Sequence, residues 1–171
     1  MVKQLGDRFK AQPSEIVDRV AILQEELKAT GKALAAAQAE LAVAKAAALA
    51  AKAEAVGDFQ LLVERLDGVD GAGLQGAAQS LADQLGDGAA VVIGGLPDPA
   101  DLGKVILVAA FGKQVIAAKL QAGKFIGGIA KLCGGGGGRP NLAQAGGRDG
   151  ASLQGALHAA ADQLRQALSL G

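Results

Sequence analysis

Between Cys133 and Gly147 the sequence runs CGGGGGRPNLAQAGG, and this segment concentrates the chemical options of the chain. Gly134, Gly135, Gly136, Gly137 and Gly138 lead into Arg139-Pro140, and Gly146 and Gly147 follow the short stretch Asn141-Leu142-Ala143-Gln144-Ala145. Without a Cβ, such a backbone takes positive φ freely and comes into close contact with another molecule. Successive N–H groups in a glycine-rich turn form a concavity suited to an anion. Arg139 adds a planar fork matched to phosphate, and Pro140 fixes the direction in which the chain leaves. Gln144 can donate to, or accept from, a sugar or a base edge. The other reading is a flexible linker, the usual meaning of a glycine run. Against it, the run contains no Ser and stands between two apolar, helix-patterned segments. The chemistry on offer is binding.

Familiar catalytic patterns are missing around it. A Walker A loop needs G-x-x-x-x-G-K-[ST], and here the glycines lead into Arg-Pro-Asn. A dinucleotide fingerprint needs its glycines directly after a strand, whereas these follow a helical pattern. Nucleophile elbows and paired carboxylates are equally lacking in this region. Cys133 is the single Cys and His158 the single His, so no zinc constellation can be assembled. His158 flanks an apolar helical stripe with no partner in view, which reads as a surface or structural His. One Cys also excludes an internal disulfide and fits a reducing compartment. No metal and no cofactor are expected.

The formal net charge is zero, but its distribution is uneven. Residues 1–57 are balanced, with eight Lys/Arg and seven Asp/Glu; residues 58–103 hold one Arg and eight acids. Residues 104–148 hold seven Lys/Arg, among them Lys113, Lys119, Lys124, Lys131, Arg139 and Arg148, and no acid at all. Backbone phosphate is the natural partner of such a block, through attraction and counterion release. The alternative is internal compensation, the basic block pairing with the acidic one. All four aromatic residues are Phe, and Trp and Tyr are absent, which argues against the base-stacking platforms of single-strand binders. The N-terminal MVKQLGDRFK lacks an apolar signal core. No uninterrupted apolar span approaches the ~20 residues that cross a bilayer. The expectation is a soluble, cytoplasmic chain.

The elements that would position these groups are legible in outline. Val2, Leu5 and Phe9 have helical spacing, Pro13 stops that element, and Ser14 is placed to cap the next. An Ala-rich helix then runs to about Val56, where Gly57 ends it. Its apolar positions step by four and three through Ile16, Val20, Leu23, Leu27, Thr30, Leu34, Ala37, Leu41, Ala44 and Ala48. That is a coiled-coil seam, ~60 Å long if unbroken, with Gly31 the weakest point. Beyond it the composition changes. Residues 59–66 read as a strand closed by Asp67-Gly68, Leu74 to Leu85 as an amphipathic helix, and Ala89–Gly95 and Lys104–Phe111 as buried strands. After Phe111 come one or two helices with Phe125, Ile129 and Leu132 on one stripe and Lys124 and Lys131 on a common face. A last helix, about Ala151 to Leu168, turns Leu153, Leu157, Ala161, Leu164 and Leu168 inward. Strands alternating with helices give an α/β (α+β) class: a long helix, then a small domain with a mixed sheet flanked by helices. The expected division is 1–57 and 58–171.

With these segments in place, the second part resembles the DHH-associated domain, and the whole chain resembles the C-terminal region of alanyl-tRNA synthetases. The matching segments are LLVERLDGVD, KLQAGKFIGGIAKLCGGGGGRP and NLAQAGG. The most specific part falls on Gly136, Gly137, Gly138, Arg139, Pro140, Ala143, Gln144, Gly146 and Gly147. The resemblance implies a non-catalytic module that grips the elbow of tRNA, contributes to dimerisation, and brings aminoacylation and editing together on one tRNA. Read together with the acid-free basic block and the glycine motif, it puts the expected tRNA contacts at Lys113, Lys119, Lys124, Lys131, Gly134, Gly135, Gly136, Gly137, Gly138, Arg139, Gln144 and Arg148, while the heptad pattern puts the expected homodimer seam at Ile16, Val20, Leu23, Leu27, Leu34 and Leu41. Many relatives carry Lys where this chain has Gly135, and Asp where it has Asn141. The first change weakens the phosphate grip; the second removes a negative charge beside Arg139. Nothing matches the catalytic or editing domains of that family, so a fragment is expected. Two other readings stay open: the nucleic-acid-binding domain of a DHH-type phosphoesterase, and a structural coiled-coil dimer.

Overall fold

The computed structural model describes residues 16–133 and 142–169. Two compact units divide the chain, Met1–Ala37 and Gln38–Gly171. Helix α1 spans Ile16–Ala50, as expected of an Ala-rich run with high intrinsic propensity. Gly31 does not interrupt it, and nothing stands within 4 Å of where its Cβ would be. Along α1, Leu23, Leu27, Leu34 and Leu41 are exposed and Val20 is half-buried; the side chain of Ile16 lies outside the described set.

The helix stops at Ala50, short of the Val56 that its composition suggests. Lys52 N–H donates to Leu49 C=O and Ala53 N–H to Ala50 C=O, closing the last turn. Residues Glu54–Val56 then form strand β1, antiparallel to β2 (Phe59–Arg65), with Val56 opposite Phe59. Gly57, at φ 60°, supplies the left-handed turn that joins them. Helix propensity is a weak prior, and the packing of Val56 and Phe59 against the core overrides it.

The sheet has five strands in the order β1-β2-β3-β4-β5, where β3 is Ala89–Gly95, β4 is Val105–Phe111 and β5 is Leu142–Gly147. Only β2 and β3 are parallel, joined by a crossover through helix α2 (Gly71–Leu85). Asp70 caps α2 by accepting from Gly73 N–H at 2.8 Å. Every residue of β3 and β4 is buried, so each strand must be covered on both faces. Leu61, Ala90, Val92, Leu107 and Ala109 face helices α4 (Ala122–Ala130) and α5 (Leu153–Ser169). Leu62, Val91, Ile93 and Val108 share the opposite core with Leu74, Ala77 and Leu81 of α2. The mixed sheet flanked by helices is the architecture that the sequence pattern indicates.

After Phe111 there are two helices, the short α3 (Lys113–Ala117) and α4. The stripe on α4 differs from the one expected. Ala122, Ile126, Ile129 and Ala130 point inward, Phe125 is half-buried with its ring 5.8 Å from that of Phe111, and Leu132 is exposed. A 3₁₀ turn at Lys131–Cys133 winds the chain more tightly than an α-helix, which turns Cys133 in and Leu132 out. On α5, Leu153, Leu157, Leu164 and Leu168 are buried as expected, with Ala160 rather than Ala161 completing the face. His158 is exposed, 3.2 Å from the side-chain amide of Gln154. Among the described residues, no helix is long and apolar enough to cross a membrane.

The entry to α5 carries a pH dependence. Asp149 accepts from Ser152 Oγ at 2.6 Å, Ser152 N–H at 3.3 Å and Ala151 N–H at 3.1 Å. These bonds, the Ser152 hydroxyl first, hold its carboxyl below the ordinary value of 3.8. A depressed carboxylate contributes stability that is complete above its unfolded pKa and is lost as pH falls through its folded one. Asp149→Ala should therefore melt lower than the parent at neutral pH. The gap should hold down to about pH 4 and close below it, as thermal melts over a pH series will register.

Candidate nucleic-acid interface

The β4–β5 ladder places the basic residues. It runs from Val105 opposite Gly147 to Ala110 opposite Leu142. Lys104 and Arg148 therefore stand just beyond one end of it, while Lys113 and Lys119 follow the far end of β4. Arg148 N–H donates to Cys133 C=O at 2.6 Å, which brings the 3₁₀ turn and Lys131 to the Lys104–Arg148 end. Gly147 lies so close beneath Cys133 that a Cβ there would come within 2.6 Å of the Cys133 Cβ. Here a glycine is required by close approach. Lys124, on α4, lies seven residues before Lys131, ~10 Å away along a helical path.

Gly134–Gly138 and Arg139 lie outside the described residues. Their described flanks, Cys133 and Leu142, stand at opposite ends of β5.

Among the described residues, internal compensation of the basic block is confined to one contact. Lys113 Nζ lies 3.9 Å from Asp87 Oδ1, an exposed pair that contributes little. Lys104, Lys119, Lys124, Lys131 and Arg148 are exposed and make no ion pair among the described residues. The acidic block is engaged elsewhere. Asp67 holds Arg65 at 2.8 Å and Leu96 N–H at 2.9 Å, and Glu64 pairs with Lys52 at 3.0 Å. Asp98 and Asp101 accept from Ala100 and Gly103 N–H within their own turns.

Two residues of the sequence-derived set also have structural features of their own. Gln144 is exposed, but its side-chain oxygen accepts from Gln75 Nε2 at 2.9 Å, and its amide lies over Gly71 of α2. It ties β5 to α2. Lys119 has φ 66°, a left-handed conformation that costs about 1–3 kcal/mol for a residue with a Cβ. It closes α3, with Lys119 N–H donating to Ile116 C=O and Leu120 N–H to Val115 C=O.

Lys104 is the residue that sequence reasoning passes over. By composition it belongs to the basic block, and by pattern it reads as the first residue of a buried strand. Only the register across β4 and β5 reveals that it meets Arg148.

Cys133 is buried, and burial first, then the charge of Asp149, pushes its thiol upward. A protonated, enclosed thiol is a poor nucleophile. Among the described residues no three His, Cys, Asp or Glu side chains are grouped to hold a metal ion. A hollow of about 340 Å³ opens at the Lys113 end, lined by Gln79, Asp83, Asp87, Phe111, Lys113 and Ile116. Away from this hollow, Lys104, Lys124, Lys131 and Arg148 leave exposed positive charge on the surface.

Comparisons with known proteins place the chain. Residues 58–166 match the DHHA1 domain. The chain is 89% identical over 169 residues to an alanine–tRNA ligase of Parasynechococcus marenigrum (strain WH8102), a match that covers 98% of this chain and 19% of the ligase. It is 90% identical over 168 residues to the alanine–tRNA ligase of Synechococcus sp. (strain CC9605), with the same two shares. The chain thus spans about a fifth of the length of the curated relatives it matches. In three dimensions it is similar to the crystal structure of the C-Ala domain from Aquifex aeolicus alanyl-tRNA synthetase. That match has a TM-score of 0.55 at 29% identity and covers 68% of this chain and 97% of the other. By the match over residues 58–166, and with a likeness to the C-Ala-bearing region of alanine–tRNA ligases, the chain belongs to the DHHA1 domain family.

Proposed function

We propose that this chain is a non-catalytic tRNA-binding and dimerising module of an alanine–tRNA ligase. In this reading residues 58–171 hold the tRNA at its elbow, in the cytoplasm, and thereby serve its aminoacylation and editing. The helical segment 1–57 pairs two copies through Val20, Leu23, Leu27, Leu34 and Leu41. The observation that carries the RNA half is the set of exposed cations around β4, β5 and α4 with no anionic partner among the described residues: Lys104, Lys119, Lys124, Lys131 and Arg148. Phosphate contacts of this kind supply affinity and set the register of a nucleic acid without reading its sequence. The lack of Trp and Tyr fits a folded ligand better than a single strand that must be stacked.

The test compares a folded tRNA with an unstructured RNA of equal length by fluorescence anisotropy at low salt. Tighter binding of the tRNA is expected. Equal binding of both would favour a general nucleic-acid domain of the DHH-type phosphoesterase kind. Binding of neither would leave a structural coiled-coil module.

A further inference from the structure

We propose that Lys104, Lys131 and Arg148 form a single phosphate-gripping cluster and make the firmest hold on the RNA backbone. The proposal rests on the tRNA-binding reading and deepens it.

Three elements far apart in sequence converge on this rim. Lys104 precedes β4, Lys131 opens the 3₁₀ turn after α4, and Arg148 follows β5. Extending the ladder one pair beyond Val105–Gly147 sets Lys104 opposite Arg148. The bond from Arg148 N–H to Cys133 C=O fixes the third element beside them, two residues after Lys131. Gly147, pressed under Cys133, leaves that junction no slack.

Like charges facing each other across a ladder repel. The fold gives these three no counter-ion among the described residues. The acids near this rim turn their oxygens to backbone N–H groups: Asp98 to Ala100, Asp101 to Gly103, Asp149 to Ala151 and Ser152. An unrelieved group of cations on a fixed backbone is relieved by binding an anion. Successive phosphates of an RNA strand would supply the several negative charges that a rim of this width can take up.

The opposite end of β4, seven residues and ~20 Å away, is built differently. There Lys113 is already near Asp87, and Asp83 and Asp87 line the adjoining hollow. Lys113 is already within ion-pair range of a carboxylate, so its charge is partly met and that end is a weaker seat for phosphate. The two ends therefore differ in what they offer the RNA.

The experiment measures tRNA affinity across a salt series for the wild type and three multiple variants. Lys104→Ala/Lys131→Ala/Arg148→Ala should make the slope of log Kd against log salt shallower by about 2–3, and Lys113→Ala/Lys119→Ala by about 1 or less. Lys104→Arg/Lys131→Arg/Arg148→Lys, which keeps every charge, should retain most of the slope. If the triple alanine variant fails to fold in a thermal melt, Lys104→Ala alone should still lose about 1 of the slope. An unchanged slope without the cluster, or an equal loss at both ends, overturns the assignment while tRNA binding by the wild type stands. Wild type that fails to bind tRNA at low salt overturns the underlying reading, and the cluster with it.

Discussion

Replacing Leu27 and Leu34 together by Asp is expected to convert a dimer into a monomer. Both side chains stand on α1 and are open to solvent, at 75% and 59% of full exposure. Seven residues apart, they fall on the same stripe of a helix that is proposed to pair by heptads. Pairing would bury four Leu in a dimer, each giving about 1.5–3 kcal/mol. A carboxylate left in that seam adds a desolvation cost of about 1–3 kcal/mol or more. The combined loss corresponds to well over a thousandfold in the dimer dissociation constant, by about 1.4 kcal/mol per factor of ten. Neither residue belongs to the buried clusters on the two faces of the sheet, so the thermal transition of that domain should stay where it is. Sedimentation velocity reads the outcome. An unchanged mass in the variant would remove the seam from the interface, and a monomeric wild type would remove the interface itself.

The second large effect falls on the core. Gly95 closes β3 in a fully buried strand, and a Cβ there would overlap the Leu66 carbonyl oxygen. That oxygen belongs to rigid backbone. Leu66 N–H bonds to Gly94 C=O at 2.9 Å and Gly68 N–H to Leu96 C=O at 2.8 Å, so the segment is held on both sides. Gly95→Ala must push these strands apart where Asp67 also bridges Arg65 to Leu96. A loss of about 3 kcal/mol is expected, the upper end of ordinary overpacking. Gly76 is the opposite case. It lies within α2, with nothing inside 4 Å of a Cβ. Gly76→Ala should gain about 0.5–1 kcal/mol from reduced freedom of the unfolded chain and better helix propensity. Urea unfolding of the two variants checks both signs. Similar shifts for both would mean that the parallel β2–β3 junction is not packed as described.

How much of this is legible in the sequence depends on what each feature needs. Runs such as Val91-Val92-Ile93 and Val105-Ile106-Leu107-Val108 announce β3 and β4 because a strand covered on both faces is apolar throughout. The crossover helix α2 shows its period in Leu74, Ala77, Ala78, Leu81 and Leu85. Strand β1 is hidden because Glu54-Ala55-Val56 continues an Ala-rich helical pattern; only pairing with β2 makes it a strand. The exposure of Leu132 cannot be foreseen from α-helical periodicity, since it follows from a change of helix type at Lys131. For the site, the acid-free block is visible as composition. Its division into two ends is not. The meeting of Lys104 with Arg148 depends on register, and the partial pairing of Lys113 depends on where Asp87 comes to lie after the α2–β3 turn. The capture of Gln144 by Gln75 and Gly71 likewise depends on a helix packed across β5, which local sequence does not encode.

Backbone phosphates are the proposed handle by which this domain holds tRNA. The most direct measurement is the affinity of the unmodified chain for a tRNA transcript as salt is raised from about 50 to 300 mM. With five exposed cations lacking partners among the described residues, log Kd should rise linearly with log salt, with a slope of about 3–5. A slope near zero, or no complex at the lowest salt, would contradict it.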